Sequence, residues 1–281
     1  MSGMLYLVPT PIGNLGDLSD RIRETLSEAD FIAAEDTRVS LKLLNHLGLK
    51  KPLVSYFEHN RAESGPRIVQ RLLAGETCAL VTDAGTPAIS DPGEDLVALC
   101  AQAGITVCAI PGPCAVITAL AVSGLPTGRF AFEGFLSTNK KSRRSHLEQL
   151  RGETRTMVFY EAPHKLCQTL ADLAECFGAD RRISLCRELS KLHEEILRMT
   201  LGEAIAYYES QPPRGEYVLV LEGAKAPAEP EITVDMGVER VRQLMSEGMR
   251  HKDAVKQAAK ALGLAKNALY EATLEIAAES D

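Results

Sequence analysis

The sequence predicts an α/β protein built as two α/β domains followed by a small helical module. Three observations predict it. Short apolar runs of strand length alternate with amphipathic stretches of helical period as far as Glu222. Several of those runs pass directly into Gly/Pro-rich segments, the usual edge of an open sheet that binds ligands. Two breaker clusters, Gly124–Gly128 and Ala224–Pro230, divide the 281 residues into pieces 1–125, 126–225 and 226–281.

The first run, Leu5–Val8, suits a strand buried on both faces. Pro9, Pro11, Gly13, Asn14 and Gly16 end it in a loop, and Asp20 is placed to cap a helix over Leu18–Ala29. Phe31–Ala34 is the second strand. Helices are predicted over Val39–Leu47 and Gly65–Ala74, then a strand at Cys78–Val81 and a helix at Gly93–Ala103. Thr106–Ile110 is a strand, and Ala115–Ser123 a helix of small residues. Helices at Lys140–Leu150, Lys165–Phe177 and Thr200–Ser210 alternate with strands at Thr156–Tyr160, Ile183–Cys186 and Tyr217–Glu222. After the linker 224–230, helical spacing resumes at Val238, Val241, Leu244 and Met245. It breaks at Gly248, returns at Ala254, Val255, Ala258 and Leu262, and stops at Gly263. A last helix is predicted over Ala265–Ala278. This tail reads as a helix-turn-helix module or a small bundle.

Composition narrows the function. A net charge of −7 disfavours global attraction to nucleic acid, so an RNA partner needs local basic patches. With no Trp and 5% aromatic residues, a base-stacking platform is disfavoured. The seven cysteines form no CxxC pair, which predicts reduced thiols in a cytoplasm and no metal site. Pro111, Gly112 and Pro113 interrupt the longest apolar run, so a soluble chain is expected.

The loops 9–17, 82–93 and 111–115 each follow a strand and carry no basic residue. That disfavours a phosphate ligand and favours a neutral or cationic one held by backbone groups. No Gly-Lys-Ser/Thr is present, which argues against a nucleotide phosphotransferase. Glu35-Asp36-Thr37-Arg38 follows the second strand; it is either a helix cap or a polar edge that meets substrate. The run Arg187–Glu195 begins at a strand end and reads either as a solvated face or as part of a site. Lys140, Lys141, Arg143 and Arg144 form one basic patch. Between 240 and 266 stand seven basic residues against two acidic ones, with Lys252, Lys256 and Lys260 on one helix face. Both patches are solvated helix surface or a phosphate track.

The strings LYLVPTPIGNLGDLS, AEDTR, LVTDAGTPAISDPG, AIPGPCAVITALAVSGLPT, FEGFL, FYEAPHK, RELSKLHEE and RGEYVLVLEG occur in one order. In that order the chain resembles the tetrapyrrole methylase superfamily, and within it the bacterial 16S ribosomal RNA ribose 2′-O-methyltransferases. The resemblance covers about residues 4–225. It implies a homodimer of two-domain chains with S-adenosylmethionine in the cleft between the domains. It implies methylation of a cytidine ribose in the decoding region of 16S RNA, offered either as free RNA or within the 30S subunit. By position it implies cofactor contacts at Gly85, Pro87, Ile89, Cys114, Ala115, Tyr160, Leu189 and Gly215.

A 2′-hydroxyl is a weak acid, so a proton acceptor is expected at a strand end. Glu161, Glu188 and Asp36 are the candidates. Arg38 and Lys191 are candidates for phosphate contacts, with residues 140–144 and the tail lysines. Two other readings stay open: a methyltransferase for a small tetrapyrrole, and a non-catalytic RNA-binding assembly factor.

Overall fold

The computed structural model describes residues 3–225 and 233–274. The chain divides into two compact units, one running to Ala224 and one starting at Lys225.

The first unit holds two five-stranded sheets. In the first sheet β1 (Met4–Leu7), β2 (Phe31–Ala34), β3 (Leu53–Ser55), β4 (Cys78–Val81) and β5 (Thr106–Ala109) lie in the order β3-β2-β4-β1-β5. All pairs are parallel, with Leu5 opposite Cys78 and Ala34 opposite Val81. A parallel sheet needs cover on both faces, and the sequence supplies it. α1 (Asp20–Glu28) and α2 (Thr37–His46) bring Ile22, Leu26 and Leu44 to one face. α3 (Arg61–Leu73) and α4 (Glu94–Gln102) bring Ile68, Leu72, Leu96 and Cys100 to the other. β2 and β4, entirely buried, are central, while β5, partly exposed, is an edge. Ser19 rather than Asp20 caps α1: its side chain accepts from the Ile22 N–H, and Asp20 takes the first helical position.

In the second sheet β6 (Phe130–Phe135), β7 (Thr156–Glu161), β8 (Arg182–Arg187), β9 (Glu195–Thr200) and β10 (Tyr217–Leu221) lie in the order β6-β7-β10-β8-β9. Only β6 and β7 pair in parallel, with a bulge between Phe132 and Gly134. β10 runs antiparallel to both β7 and β8, and β9 antiparallel to β8. α6 (Lys140–Gln149), α7 (Pro163–Phe177) and α8 (Leu201–Ser210) cover one face through Leu147, Leu170 and Tyr208. The other face takes α5 (Ala115–Val122), whose Val116, Ala119 and Leu120 pack on Val158, Val218 and Val220. The helix that leaves the first sheet therefore seals the second and brings the two sheets' loops together.

The second unit contains α9 (Val234–Ser246), α10 (His251–Leu262) and α11 (Lys266–Ala272). Val241, Leu244, Ala254, Val255, Ala258 and Leu269 form its core. α10 stops at Gly263 in a left-handed conformation, and Gly248 stands between α9 and α10. Residues 226–230 of the expected linker and 275–278 of the expected last helix lie outside the described residues.

Candidate active site

In a parallel sheet every strand points its C-terminal end the same way, so the loops after β1, β2, β4 and β5 gather on one edge. The loop after β1 is tied to the one after β4 by a two-residue bridge. Thr10 N–H donates to the Gly85 carbonyl at 2.9 Å, and Gly85 N–H donates back at 3.0 Å. Gly85 sits at φ +87°, a conformation a side chain would strain. From the second sheet come the C-terminal ends of β7 and β8 and the start of antiparallel β10. Between the two sets of loops lies a cavity of about 470 Å³, within the range of small-molecule sites.

Of the cofactor contacts expected from the sequence, Gly85, Ile89, Cys114, Ala115, Tyr160 and Leu189 line this cavity. Pro87 and Gly215 do not; each is a backbone neighbour of residues that do. The apolar wall also includes Ile12, Phe135 and Val218. Phe135 and Tyr160 pack ring against ring at 5.4 Å.

The polar lining is strongly acidic. Glu35, Asp83, Asp91, Glu161, Glu188 and Glu216 line the cavity with one cation, Lys191. That sign matches the expected preference for a neutral or cationic ligand. The carboxylates differ sharply in how they are held. Glu161 is buried and engaged: Thr169 Oγ1 donates to it at 2.5 Å and the Ala162 N–H at 2.9 Å. Glu188 accepts from Lys191 Nζ at 2.8 Å and from the Glu216 N–H at 2.9 Å. Burial works against its ionisation, but these bonds prevail and hold its carboxyl below the usual range. Asp36 lies outside the cavity. It caps α2 and is paired with Arg38 by two side-chain bonds of 3.0 and 2.6 Å, which hold it at about 2.

Three acids that the sequence did not single out as bases behave oppositely. Burial raises Asp91 to about 6, helped by Glu35 and Asp83. Burial also raises Glu35 and Asp83, with Asp83 acting on Glu35 and Asp36 on Asp83. The signal for Asp91 was present only as an acid in a Gly/Pro loop following a buried strand.

The four non-glycine residues at positive φ among the described residues are Ala88, Ser90, Glu188 and Ser190. All lie in two loops that border the cavity. Backbone strain confined to a site in this way marks a geometry held for function. The second of these loops clasps the first half: Ser190 Oγ donates to Asp17 Oδ2 at 2.5 Å, and the Lys191 stem crosses Gly13 so closely that a Cβ there would lie 2.3 Å from it. Lys191 also donates to Glu216 at 2.8 Å, so its charge is spent inside the cleft rather than offered to a phosphate.

Of the expected basic patch on α6, Lys140 and Lys141 are exposed. Arg143 is not free: its Nε donates to Asp172 at 2.5 Å, with the two side chains 12% and 5% exposed. Arg144 is paired with Glu175 of the same helix α7. These two arginines dock α6 on α7, a role their sequence neighbourhood did not reveal. Arg38 is exposed at the start of α2, and Lys252, Lys256 and Lys260 are exposed on α10. Among the described residues no cluster of side chains suits a metal ion, and no helix is long and apolar enough to cross a membrane.

Residues 4–205 match the family model described as Tetrapyrrole (Corrin/Porphyrin) Methylases, and residues 231–277 the one described as RsmI C-terminal HTH domain. The chain is 47% identical over 277 residues to Ribosomal RNA small subunit methyltransferase I of Synechocystis sp., covering 99% of each. It is 43% identical to the protein of the same name from Escherichia coli O157:H7, covering 97% of this chain and 95% of that one. The chain belongs to the ribosomal RNA small subunit methyltransferase I family of tetrapyrrole methylases. Two solved structures share the fold at low identity. The methyltransferase CobJ matches with a TM-score of 0.59 at 18% identity, over 79% of this chain and 95% of that one. Diphthine synthase matches with 0.58 at 15%, over 78% and 90%. Both alignments stop short of full coverage of the chain. In this member of the family the acidic cleft, not an isolated motif, is the feature that gathers the ionisable groups.

Proposed function

We propose that the chain transfers a methyl group from S-adenosylmethionine to the ribose 2′-oxygen of a cytidine in the decoding region of 16S ribosomal RNA. It does so as a cytoplasmic homodimer acting on the 30S subunit, with domain divisions near residues 125 and 225. The observation that carries this reading is the near-complete coverage of relatives named for small-subunit ribosomal RNA methylation, cleft and tail alike. The cytidine and the 2′-oxygen rest on the ordered strings of the sequence resemblance.

The cavity suits the cofactor. Its acidic lining favours a ligand bearing a sulfonium and an ammonium, and its apolar wall accepts an adenosyl group. Gly85, Ile89, Cys114, Ala115, Tyr160 and Leu189 would hold it, with Pro87 and Gly215 shaping the adjacent backbone. Bound there, S-adenosylmethionine supplies an electrophilic methyl group. The protein then has to hold the ribose oxygen in line, exclude water and accept one proton. Asp91 is the proton acceptor in this reading, because burial raises its carboxyl to about 6 and its oxygens have no internal hydrogen bond among the described residues. Glu35 and Asp83 tune it. Glu161 fixes the entry of α7, and Glu188 with Lys191 closes the far side of the cleft. Asp36 and Arg38 stand at the rim, where Arg38 meets RNA.

The test is methyl transfer from labelled S-adenosylmethionine to 30S subunits and to free 16S RNA lacking this modification, followed by nucleoside analysis. Label in 2′-O-methylcytidine is expected. Label in a base moves the target atom, and label only in an added tetrapyrrole replaces RNA by a small-molecule substrate.

The tail supplies RNA affinity through its lysine face, with Lys140 and Lys141 adding to it. Replacing Lys252, Lys256 and Lys260 by Glu together is expected to weaken RNA binding at least about tenfold. It should also flatten log K against log salt by about 2 units, three phosphate contacts being lost. An unchanged salt slope in a filter-binding titration removes the tail from the interface.

A further inference from the structure

A second cavity, about 310 Å³, opens on the other side of the loop that follows β1. Asp83 lines both cavities, so the two are neighbours across one wall. The loop itself is the partition: Ile12 faces the cleft, while Pro11 and Leu15 line the second cavity. α2 forms the opposite side.

Three features describe what this groove accepts. Its surface is mainly apolar, from Pro11, Leu15 and Val39, the last two being 49% and 38% exposed. Gathered in one groove, these aliphatic side chains offer apolar surface to a ligand. Lys42 and His46 also line it, four residues apart on the exposed stripe of α2 that starts at Arg38. Arg38 is turned onto Asp36, whereas Lys42 and His46 form no ion pair among the described residues. Finally, buried side-chain polar atoms without a hydrogen-bond partner are rare here. Two of the three among the described residues, Ser40 Oγ and Thr82 Oγ1, belong to residues lining this groove. An unmet buried hydroxyl costs free energy that a polar edge of a ligand can offset.

An apolar wall, two hydroxyls and a rim bearing Lys42 and His46 suit a nucleotide: a base against the wall, its polar edge towards the hydroxyls, its phosphate on Lys42 with the His46 ring beside it. We infer that this groove holds a nucleotide of the substrate RNA adjoining the methylated one, and that it contributes to choice of target. The inference rests on the reading that the substrate is RNA. It adds a second point of attachment that holds the strand across the Asp83 wall while the target ribose occupies the cleft.

The experiment is ultraviolet crosslinking of the full chain to unmethylated 30S subunits with cofactor present, read by mass spectrometry of nucleotide-bearing peptides. It is paired with RNA-binding titrations of Val39→Trp, which fills the groove, and Lys42→Ala, which removes a charge. Nucleotide adducts on peptides spanning residues 11–15 or 38–46 are expected. So are a loss of RNA affinity of about tenfold in Val39→Trp and a salt slope lowered by about 1 in Lys42→Ala, with cofactor affinity unchanged. Adducts elsewhere only, RNA affinity unchanged in both variants, or crosslinks to a ribosomal protein in place of nucleotides each overturn the inference. Groove adducts without any methyl transfer would keep the groove and sink the methylation reading; methyl transfer with neither adducts nor affinity loss would do the reverse.

Discussion

Asn in place of Asp91 is expected to lower the rate of methyl transfer about 10²- to 10⁴-fold, the usual contribution of a positioned general base. Cofactor affinity should fall only modestly, because Asn keeps the size of the side chain and five other carboxylates remain in the lining. The pH profile is the discriminating readout. Burial, with Glu35 and Asp83, holds Asp91 at about 6, so the wild-type rate should rise with pH through that value and level off above it. In Asp91→Asn that rise should vanish. Stability should move the other way. A carboxyl whose folded-state pKa lies above its unfolded value of 3.8 favours the folded state most when protonated. Stability therefore falls as pH rises from about 4 to about 6, and the penalty persists at pH 7. The side chain is partly open to solvent, so after screening the gain from Asn is on the order of 1 kcal/mol. A calorimetric scan at pH 7.5 should find the variant slightly more stable. Activity within about fivefold of wild type, with the pH dependence intact, would return the role to another acid of the cleft, Glu35 first.

Removal of the Asp172 carboxylate is expected to be strongly destabilising. Arg143 Nε donates to Asp172 at 2.5 Å, and Gln168 Nε2 donates to the other oxygen at 3.1 Å. Arg143 also donates to the Ser137 and Thr138 carbonyls. In Asp172→Ala the guanidinium stays in place, nearly buried and without its counter-charge, at a cost of about 3–5 kcal/mol. For a domain of this size that lowers Tm by roughly 10 °C. The double variant Arg143→Met with Asp172→Leu removes both charges and fills the space, and should recover most of the loss. RNA affinity in the double variant should equal that of wild type. A large drop in RNA affinity with normal Tm would restore Arg143 to the RNA-contacting patch.

Both expectations concern residues whose local sequence was a poor guide. Arg143 sits in KKSRR, which reads as a charged surface run, yet its partner lies 29 residues away on the next helix. Lys191 sits in another charged run and turns inward across Gly13. Three strands, β3, β6 and β9, were also missed in the sequence. β3 has three residues, β6 is interrupted by a bulge at Glu133, and β9 is nowhere fully buried, so none shows the continuous apolar run of an inner strand. The inner strands β2 and β4 coincide with their apolar runs because both faces of each are covered.

By itself the sequence determined the alternation of strands and helices, the Gly/Pro loops at strand ends, the breaks in the tail and the family. These depend on periodicity, backbone conformation and order along the chain, all of which are local properties or survive in linear form. Only the tertiary structure decided which acids share the cleft, which of them is raised to about 6 and which arginines are already paired. A charge responds to whatever lies within a few ångströms, and here those neighbours come from strands and loops distant in sequence: Glu35, Asp83 and Asp91 meet only because β2 and β4 lie side by side in one sheet.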